Sequence, residues 1–399
     1  MKVAPSLHTH AKVEGVTSIR ILKVLSAAEA RKGDWPLADA LVLDAFIDGC
    51  AGVIATDSEP RERPAGILIS GLRDANVLCG GDVVRLRPGA SMVSVLYRRG
   101  SKANVLFVTE RCNSRCLMCS QPPRDEDDAW RIAELHALIR LVDIDEEHLG
   151  VTGGEPTLLG PHLAALLTAA RSRLPATHLH VLTNGRLFQD ATLARLLVDA
   201  GGDQTMWAVP LYGDVASVHD EIVDSVGAFD ETMEGLYQLA LNRGRVEIRI
   251  VLHALSVIRL PQLASFIYRR MPFVEHVTFM GLEPMGYAKS NRARLWIDPA
   301  DYVDTLHSAI QHLAVRGMNV SIYNLSLCVL PRTLWRFARA SISDWKNRSA
   351  PECEGCAMSD SCSGFFASAG AEWRSRLIAP IASSVDVTEI QTEVCHELA

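Results

Sequence analysis

Between residues 104 and 281, six short apolar runs alternate with stretches of helical texture, and this alternation limits the possible fold more than any other feature of the chain. The runs fall at 105–108, 149–152, 178–183, 206–211, 246–252 and 276–281, and each is rich in β-branched, leucine or aromatic residues. Between the first two, Trp130, Leu135, Leu138, Ile139 and Val142 share one helical face. A Leu/Ala-rich helix is expected up to about residue 172, and others near 190–200 and 230–242. Strands separated by single helices form parallel βαβ units. Six such units fall two short of a closed (β/α)8 barrel, so the expected class is α/β, an open partial (β/α)6 barrel. Chemistry is then expected on the loops at the carboxyl ends of the strands.

Residues 1–100 have a different texture and read as a separate β-rich module. Runs at 41–43, 66–69, 82–86 and 93–97 are punctuated by Gly, Pro and Asp. Such a module either offers a sheet edge to a partner peptide or caps the barrel. Its Cys50 and Cys79 read as packed thiols. The barrel is expected over 101–315, a cysteine-rich extension over 316–370 and a tail over 371–399. A helix is expected from Thr333 to Asp344, carrying Trp335, Phe337, Ala338 and Ile342.

With 399 residues, 48% of them apolar, the chain has ample material for two or three domains. A net charge of −7 argues against nucleic acid as the main partner. No apolar stretch reaches the roughly 18 residues of a membrane span, and the first residues lack a signal-peptide core. The expected location is cytoplasmic, with the ten cysteines reduced.

Seven of those ten fall into two spaced groups, which favours metal ligation over disulfides. The first group, Cys112, Cys116 and Cys119, follows the first strand at CxxxCxxC spacing. Three thiolates converging from one loop can hold a four-iron cluster and leave one iron open to an outside ligand. A structural zinc site would want a second nearby pair. One βα unit later stands Gly153-Gly154-Glu155-Pro156, where glycines let backbone approach a ligand and Pro156 suits a first helical turn.

The cysteine loop resembles the signature of the radical S-adenosylmethionine (SAM) superfamily, CxxxCxΦC, with Met118 where an aromatic residue is usual. The resemblance implies a [4Fe–4S] cluster on Cys112, Cys116 and Cys119, with SAM chelating the open iron. It implies one-electron cleavage of SAM to methionine and a 5′-deoxyadenosyl radical, which takes a hydrogen atom from the substrate. Met118 would pack against adenine, and the backbone of Gly153, Gly154 and Glu155 would hold the methionine ammonium. Thr183 and Asn184 end the third strand, either as pocket residues or as a plain Asn-Gly turn. Tyr212 ends the fourth strand, where relatives place a ribose or methionine contact, and His219-Asp220 follows. Arg249 fits either the SAM carboxylate or a salt bridge to Glu247. Glu283, in a segment loosely like the family's adenine-contact region, fits either an acceptor or a helix cap.

The second group is Cys353, Cys356 and Cys362, for which Cys328 is the natural fourth ligand. Cys395 is a substitute for Cys328, and His396 beside it has no nameable partner. Four thiolates suit zinc or a second iron–sulfur cluster. The spacing resembles the auxiliary-cluster (SPASM or twitch) extensions of radical SAM maturases, which favours an auxiliary [4Fe–4S] cluster. Residues 108–112, 119–123 and 210–213, with the block 328–366, together resemble the His-Xaa-Ser system radical SAM maturases (HxsC type). That resemblance implies a small ribosomally made precursor peptide of His-Xaa-Ser repeats as partner, with a second radical SAM protein of the same system. An electron donor such as flavodoxin or ferredoxin would feed the cluster. A radical SAM enzyme acting on a small molecule or tRNA, and a non-catalytic metal-binding interaction protein, are the alternatives.

Overall fold

A computed structural model describes residues 8–56, 66–72, 74–340 and 348–383. Cys395, His396 and the expected helix positions Ile342 and Asp344 lie outside the described residues. The chain divides into two compact units. One comprises 1–108, 127–151 and 162–179; the other comprises 109–126, 152–161 and 180–399. Among the described residues no helix is long and apolar enough to cross a membrane.

The first unit opens with strands β1 (His8–His10), β2 (Lys12–Glu14), β3 (Arg20–Leu25), β4 (Ala40–Leu43), β5 (Gly52–Ile54), β6 (Ile67–Ser70), β7 (Val83–Leu86) and β8 (Met92–Tyr97). They form one sheet in the order β1-β8-β7-β3-β4-β5-β6-β2. The two terminal strands of that order are successive arms of a single stretch. β1 pairs antiparallel with β8, β2 pairs antiparallel with β6, and Ala11 between them donates to the Ser91 carbonyl at 3.1 Å. The sheet therefore closes on itself as a small barrel. Period-two alternation fills its interior with Leu22, Val24, Leu41, Ile69, Val84 and Val95. Ala40 and Val42 point outward to cover the helix Ala27–Lys32, which Ser26 and Glu29 cap reciprocally.

Closure leaves this module little of the free sheet edge that a partner peptide would pair with. The ends of the sheet are three-residue arms of one strand, too short to template another chain. Cys50 is half-buried and packs beside Ala40 and Val42. Cys79 is exposed, against the expectation of a packed thiol. It lies in a turn whose backbone N–H bonds to the Asp82 carboxylate at 3.0 Å, which directs the side chain outward.

Within the same unit, β9 (Val105–Phe107) neighbours β10 (His148–Thr152), with Gly150 N–H donating to the Asn104 carbonyl. Between them runs the helix Trp130–Leu141, which buries Leu135, Leu138 and Ile139. Trp130 stays 41% exposed and Val142 falls just past the helix end, so the expected five-residue face narrows to three. Lys23 is fully buried and donates to the Asp143 carboxylate at 2.7 Å and the Leu141 carbonyl at 2.6 Å. A buried ammonium is tolerable only with such partners.

The second unit carries, from His180 onward, the strands β11 (His178–Leu182), β12 (Thr205–Pro210), β13 (Arg245–Leu252), β14 (His276–Gly281), β15 (Val320–Tyr323) and β16 (Ala338–Arg339). β11 to β16 stand side by side in sequence order, and the ladders from β12 to β16 are all parallel. That order is linear with β16 at its edge, as an open partial barrel requires. All six expected strands form, and β15 and β16 follow them. The helices Ala191–Gly201, Ala228–Leu241, Leu260–Arg270 and Val303–Ala314 fill the crossovers. Ile248, Ile250 and Leu252 on one face of β13 are buried, while Glu247 and Arg249 occupy the other.

The helix expected over 333–344 is corrected. It spans only Arg332–Trp335, after which Ala338–Arg339 pairs with β15, Ile322 donating to the Phe337 carbonyl at 2.8 Å. The open β15 ladder outcompetes the helical pattern of Trp335, Phe337 and Ala338.

Candidate metal centre

The loop 109–126 carries Cys112, Cys116 and Cys119, and its backbone is held from several sides. Arg115 and Leu117 N–H groups bond to the Val223 and Ile222 carbonyls at 3.2 and 2.9 Å. The Cys119 carbonyl accepts Tyr287 N–H at 2.8 Å, and Asn291 donates its side-chain amide to the Leu117 carbonyl at 2.9 Å. Met118 and Tyr212 lie in one buried apolar cluster with Ile222, Ala288 and Leu295, and Cys116 packs against it. Met118 thereby anchors the loop from beneath.

The three thiols are half-buried, and Cys119 helps to raise the pKa of Cys112 and, together with Cys112, that of Cys116. Burial is the larger cause: it pushes Cys112 up to about 11 and Cys116 to about 12, and raises Cys119 as well. Left alone these groups stay protonated, and a polycationic centre would reverse that preference by binding thiolates and releasing protons. Among the described residues no three His, Cys, Asp or Glu side chains form a ready-made site for a single metal ion. A cubane is bound through thiolates at separate corners, and three half-buried cysteines on one loop are the donor set that such a group takes.

The Gly153-Gly154-Glu155 segment lies directly against this loop. Gly154 and Glu155 N–H groups bond to the Thr109 and Arg111 carbonyls, each at 2.8 Å. A Cβ at Gly153 would strike the Thr109 carbonyl oxygen, and one at Gly154 the Arg111 carbonyl oxygen. These two positions require glycine because backbone meets backbone there.

Glu155 is fully buried, and its side chain serves the scaffold. Oε1 accepts Thr157 N–H at 3.0 Å, the Thr157 hydroxyl at 2.5 Å and the Thr183 hydroxyl at 2.6 Å; Oε2 accepts Asn184 N–H at 2.6 Å. Burial raises its pKa, and those four donors pull the other way. Thr183 also accepts Gly185 N–H at 3.1 Å, so its hydroxyl is committed to the turn. Asn184 donates its side-chain amide to Asn113 Oδ1 at 2.6 Å and stands 4.0 Å from the Cys112 sulfur. The third strand's end is thus tied to the cysteine loop.

Tyr212 stacks on His219 with centroids 5.8 Å apart and tilts toward His253 at 6.3 Å. Its phenol pKa is raised by burial and then by the nearby Cys116. His219 Nδ1 accepts Tyr212 N–H at 3.2 Å, which places the ring proton on Nε2. Asp220 caps the following helix by accepting Gly227 and Phe229 N–H groups at 2.6 and 2.7 Å.

Arg249 takes the salt bridge of its two expected fates, donating to Glu247 Oε1 at 2.7 Å, with its other terminal nitrogen 3.1 Å from Met280 Sδ. Glu247 also meets His276 Nδ1 at 3.1 Å and His180 Nε2 at 3.5 Å. Burial opposes its charge, but His180, His276 and Arg249 together hold its carboxyl well below the usual range. Glu283 sits half-buried in a turn where its carbonyl accepts Met285 N–H at 2.8 Å. The short helix Tyr287–Ser290 follows, with Gly286 at its N-cap position.

Arg186 was not singled out from the sequence. It follows the Asn-Gly turn, is nine-tenths buried, and its Nη1 donates to the Asn113 carbonyl at 2.5 Å and the Ser114 hydroxyl at 2.9 Å. The only sequence signal was its place one residue beyond a βα turn.

Cys328, Cys353, Cys356 and Cys362 line one recess of about 400 Å³, its open mouth included, together with Met358 and Ser326. Backbone N–H groups point at two of the sulfurs. Leu327 and Gly364 each donate to Cys362 Sγ, and Ile381 to Cys356 Sγ, all at 3.4 Å. Cys328 has its pKa raised by burial, with smaller contributions from Cys362 and Cys353. N–H···S bonds of this kind tune the sulfurs of iron–sulfur centres.

Residues 106–267 match the family model of the radical SAM superfamily, so that stretch carries a radical SAM superfamily domain. No curated protein matches the chain. Among solved structures, Streptococcus suis SuiB bound to S-adenosylmethionine is similar at 15% identity, over 55% of this chain and 46% of its own, with a TM-score of 0.41. A radical SAM methyltransferase from Sphaerobacter thermophilus is similar at 14% identity, over 66% of this chain and 74% of its own, with a TM-score of 0.42. The FeFe-hydrogenase maturase HydG from Carboxydothermus hydrogenoformans is similar at 10% identity, over 73% and 65%, with a TM-score of 0.43. This chain spans about half the length of the SuiB chain, 46%.

Proposed function

We propose that the radical SAM domain of this chain is catalytic, and that the protein is a maturase of a ribosomally made His-Xaa-Ser repeat peptide. The observation that carries the catalytic part is the three-thiol loop, with Cys112, Cys116 and Cys119 half-buried on one held segment and no fourth cysteine in it. When bound there, a [4Fe–4S] cluster and SAM supply one-electron cleavage of a sulfonium and, through it, hydrogen-atom abstraction.

This chain's own residues bind and orient. Cys112, Cys116 and Cys119 hold the cluster as thiolates. Gly153 and Gly154 keep backbone free of side chains beside the loop, and Glu155 locks that backbone through Thr157, Thr183 and Asn184. Tyr212 and Met118 shut water out behind the loop from their shared apolar cluster.

Cys328, Cys353, Cys356 and Cys362 hold a second, fully ligated [4Fe–4S] cluster. Their shared recess and the backbone N–H groups aimed at two of the sulfurs support a four-thiolate metal centre, and the likeness of the spacing to auxiliary-cluster extensions favours iron–sulfur over zinc. The peptide substrate rests on the sequence resemblance of the cysteine loop and of the 328–366 block to HxsC-type maturases. A second radical SAM protein and a flavodoxin or ferredoxin donor complete the proposed system, which we place in the cytoplasm.

The test has two parts. Anaerobically reconstituted protein with dithionite and SAM is expected to release 5′-deoxyadenosine. Co-expression with a His-Xaa-Ser repeat peptide is expected to change that peptide's mass. Release of 5′-deoxyadenosine with an unmodified peptide would leave the catalytic reading standing and remove the substrate.

A further inference from the structure

Arg186 is the one cation whose side chain reaches into the bend between the first two cysteines among the hydrogen bonds described above. It starts the turn Arg186–Gln189 after β11, where Gly185 (φ 80°) lets the chain reverse. The residue is 9% exposed, and its guanidinium is divided between two tasks. Nη1 bonds to the Asn113 carbonyl and the Ser114 hydroxyl, both lying between Cys112 and Cys116. Nε bonds to Glu231 Oε2 at 2.6 Å, in the first turn of the helix Ala228–Leu241. Ser114 is itself buried, at 4% exposure, so the clamp works away from water.

We infer that Arg186 is a positioning residue for the three-cysteine centre: it fixes the bend between two ligands and sets a permanent positive charge against the thiolates, raising the cluster's reduction potential. The inference rests on the reading that Cys112, Cys116 and Cys119 hold a [4Fe–4S] cluster. Three thiolates make that centre anionic, and one added electron makes it more so. A fixed cation nearby therefore stabilises the reduced form more than the oxidised one. Glu231 moderates the effect, because its carboxylate lies against the same guanidinium. Only arginine, planar and charged at every working pH, can fork to the loop and to Glu231 at once.

The charge argument gives the two partners opposite signs, which a purely structural clamp does not. The experiment is an EPR-monitored redox titration of the reconstituted full-length protein without SAM. The centre is read at the Cys112 loop by comparison with a Cys356→Ala background. Arg186→Gln is expected to move the potential to more negative values. Glu231→Gln, which keeps an acceptor for Arg186 and removes the charge, is expected to move it to more positive values. Arg186→Lys is expected to hold the potential near that of the parent while retaining less iron, since an ammonium keeps the charge and loses the fork. Should Arg186→Gln fail to hold iron, Glu231→Gln decides alone. Unmoved potentials in loaded variants, or shifts of the same sign at both positions, would overturn the inference. A parent protein with no cluster signal from this loop would overturn the underlying reading.

Discussion

Glu155 Oε2 accepts the Asn184 backbone N–H at 2.6 Å, joining the glycine-rich turn after β10 to the turn after β11. From Asn184 the linkage runs through its side chain to Asn113, beside Cys112. A residue expected to meet the ligand by its backbone therefore has a second task, performed by its side chain. Glu155→Ala leaves two buried N–H groups, of Thr157 and Asn184, without their acceptor. At about 1–3 kcal/mol for each, the fold is expected to lose about 3 kcal/mol or more. Glu155→Gln should cost less, since one amide oxygen still accepts. Denaturant unfolding of the apoprotein measures both. Unchanged stability together with lost SAM binding would show instead that the carboxylate serves the ligand directly.

Gly154→Ala probes the same contact from the backbone. Its new Cβ would meet the Arg111 carbonyl oxygen, with the Glu110 oxygen also within 3.0 Å. The segment leading to Cys112 must retreat, at about 1–3 kcal/mol for an overpacked site. Iron retained after reconstitution is expected to fall several-fold at the Cys112 loop and to stay whole at the second cysteine group. Equal loss at both would point to general unfolding.

His253 is fully buried, and among the described residues neither ring nitrogen has a hydrogen-bond partner. Burial lowers its pKa to about 4, and lowers that of His219 likewise to about 4. A base whose folded pKa is depressed contributes stability present above its unfolded value near 6.5 and lost as pH falls toward 4. The apoprotein is expected to lose stability across that window, on the order of 3 kcal/mol per histidine. His253→Phe keeps a ring against Tyr212, removes two unsatisfied polar atoms, and should flatten part of the slope. At pH 7 it should be neutral or stabilising by about 1–2 kcal/mol. Destabilisation at pH 7 would show that the imidazole has a partner in solution. Unfolding free energies across pH 4–7 read both effects.

The sheet was legible where a strand is long and keeps one apolar face, as 246–252 does with Val246, Ile248, Ile250 and Leu252 on one side and Glu247 and Arg249 on the other. β15 and β16 escaped notice: four and two residues carry too little pattern, and β16 forms only because β15 leaves its edge unpaired. Barrel closure in the first unit was equally hidden. It depends on two three-residue arms meeting at Ala11, and His8 to Glu14 contains no apolar run. At the centre, spacing identified the cysteines and glycines because their chemistry is local in sequence. Arg186 reaches Asn113 across 73 positions, and no spacing rule carries such a contact. Arg249 had two fates open from sequence, and the register that places it two residues from Glu247 on one strand face favours the salt bridge.

The two cysteine groups make separable predictions, because their ligands come from loops with different supports. Cys112→Ala removes one of three sulfurs from a centre that has no spare ligand in its loop, so SAM cleavage is expected to vanish. Cys356→Ala removes one of four lining the other recess, whose walls lie at 326–328, 349–364 and 379–381. Iron should drop from about eight to about four per chain, as expected for the loss of one four-iron cluster. SAM cleavage should persist in part, since the Cys112 loop is braced by Val223, Ile222, Tyr287 and Asn291 and not by the second group. If the second site binds zinc, the parent protein will instead hold about four irons and one zinc, and Cys356→Ala will release the zinc alone. Metal analysis beside a 5′-deoxyadenosine assay separates these outcomes. Cleavage that survives Cys112→Ala would remove the catalytic assignment, because that assignment rests on the open ligand position of the three-cysteine loop.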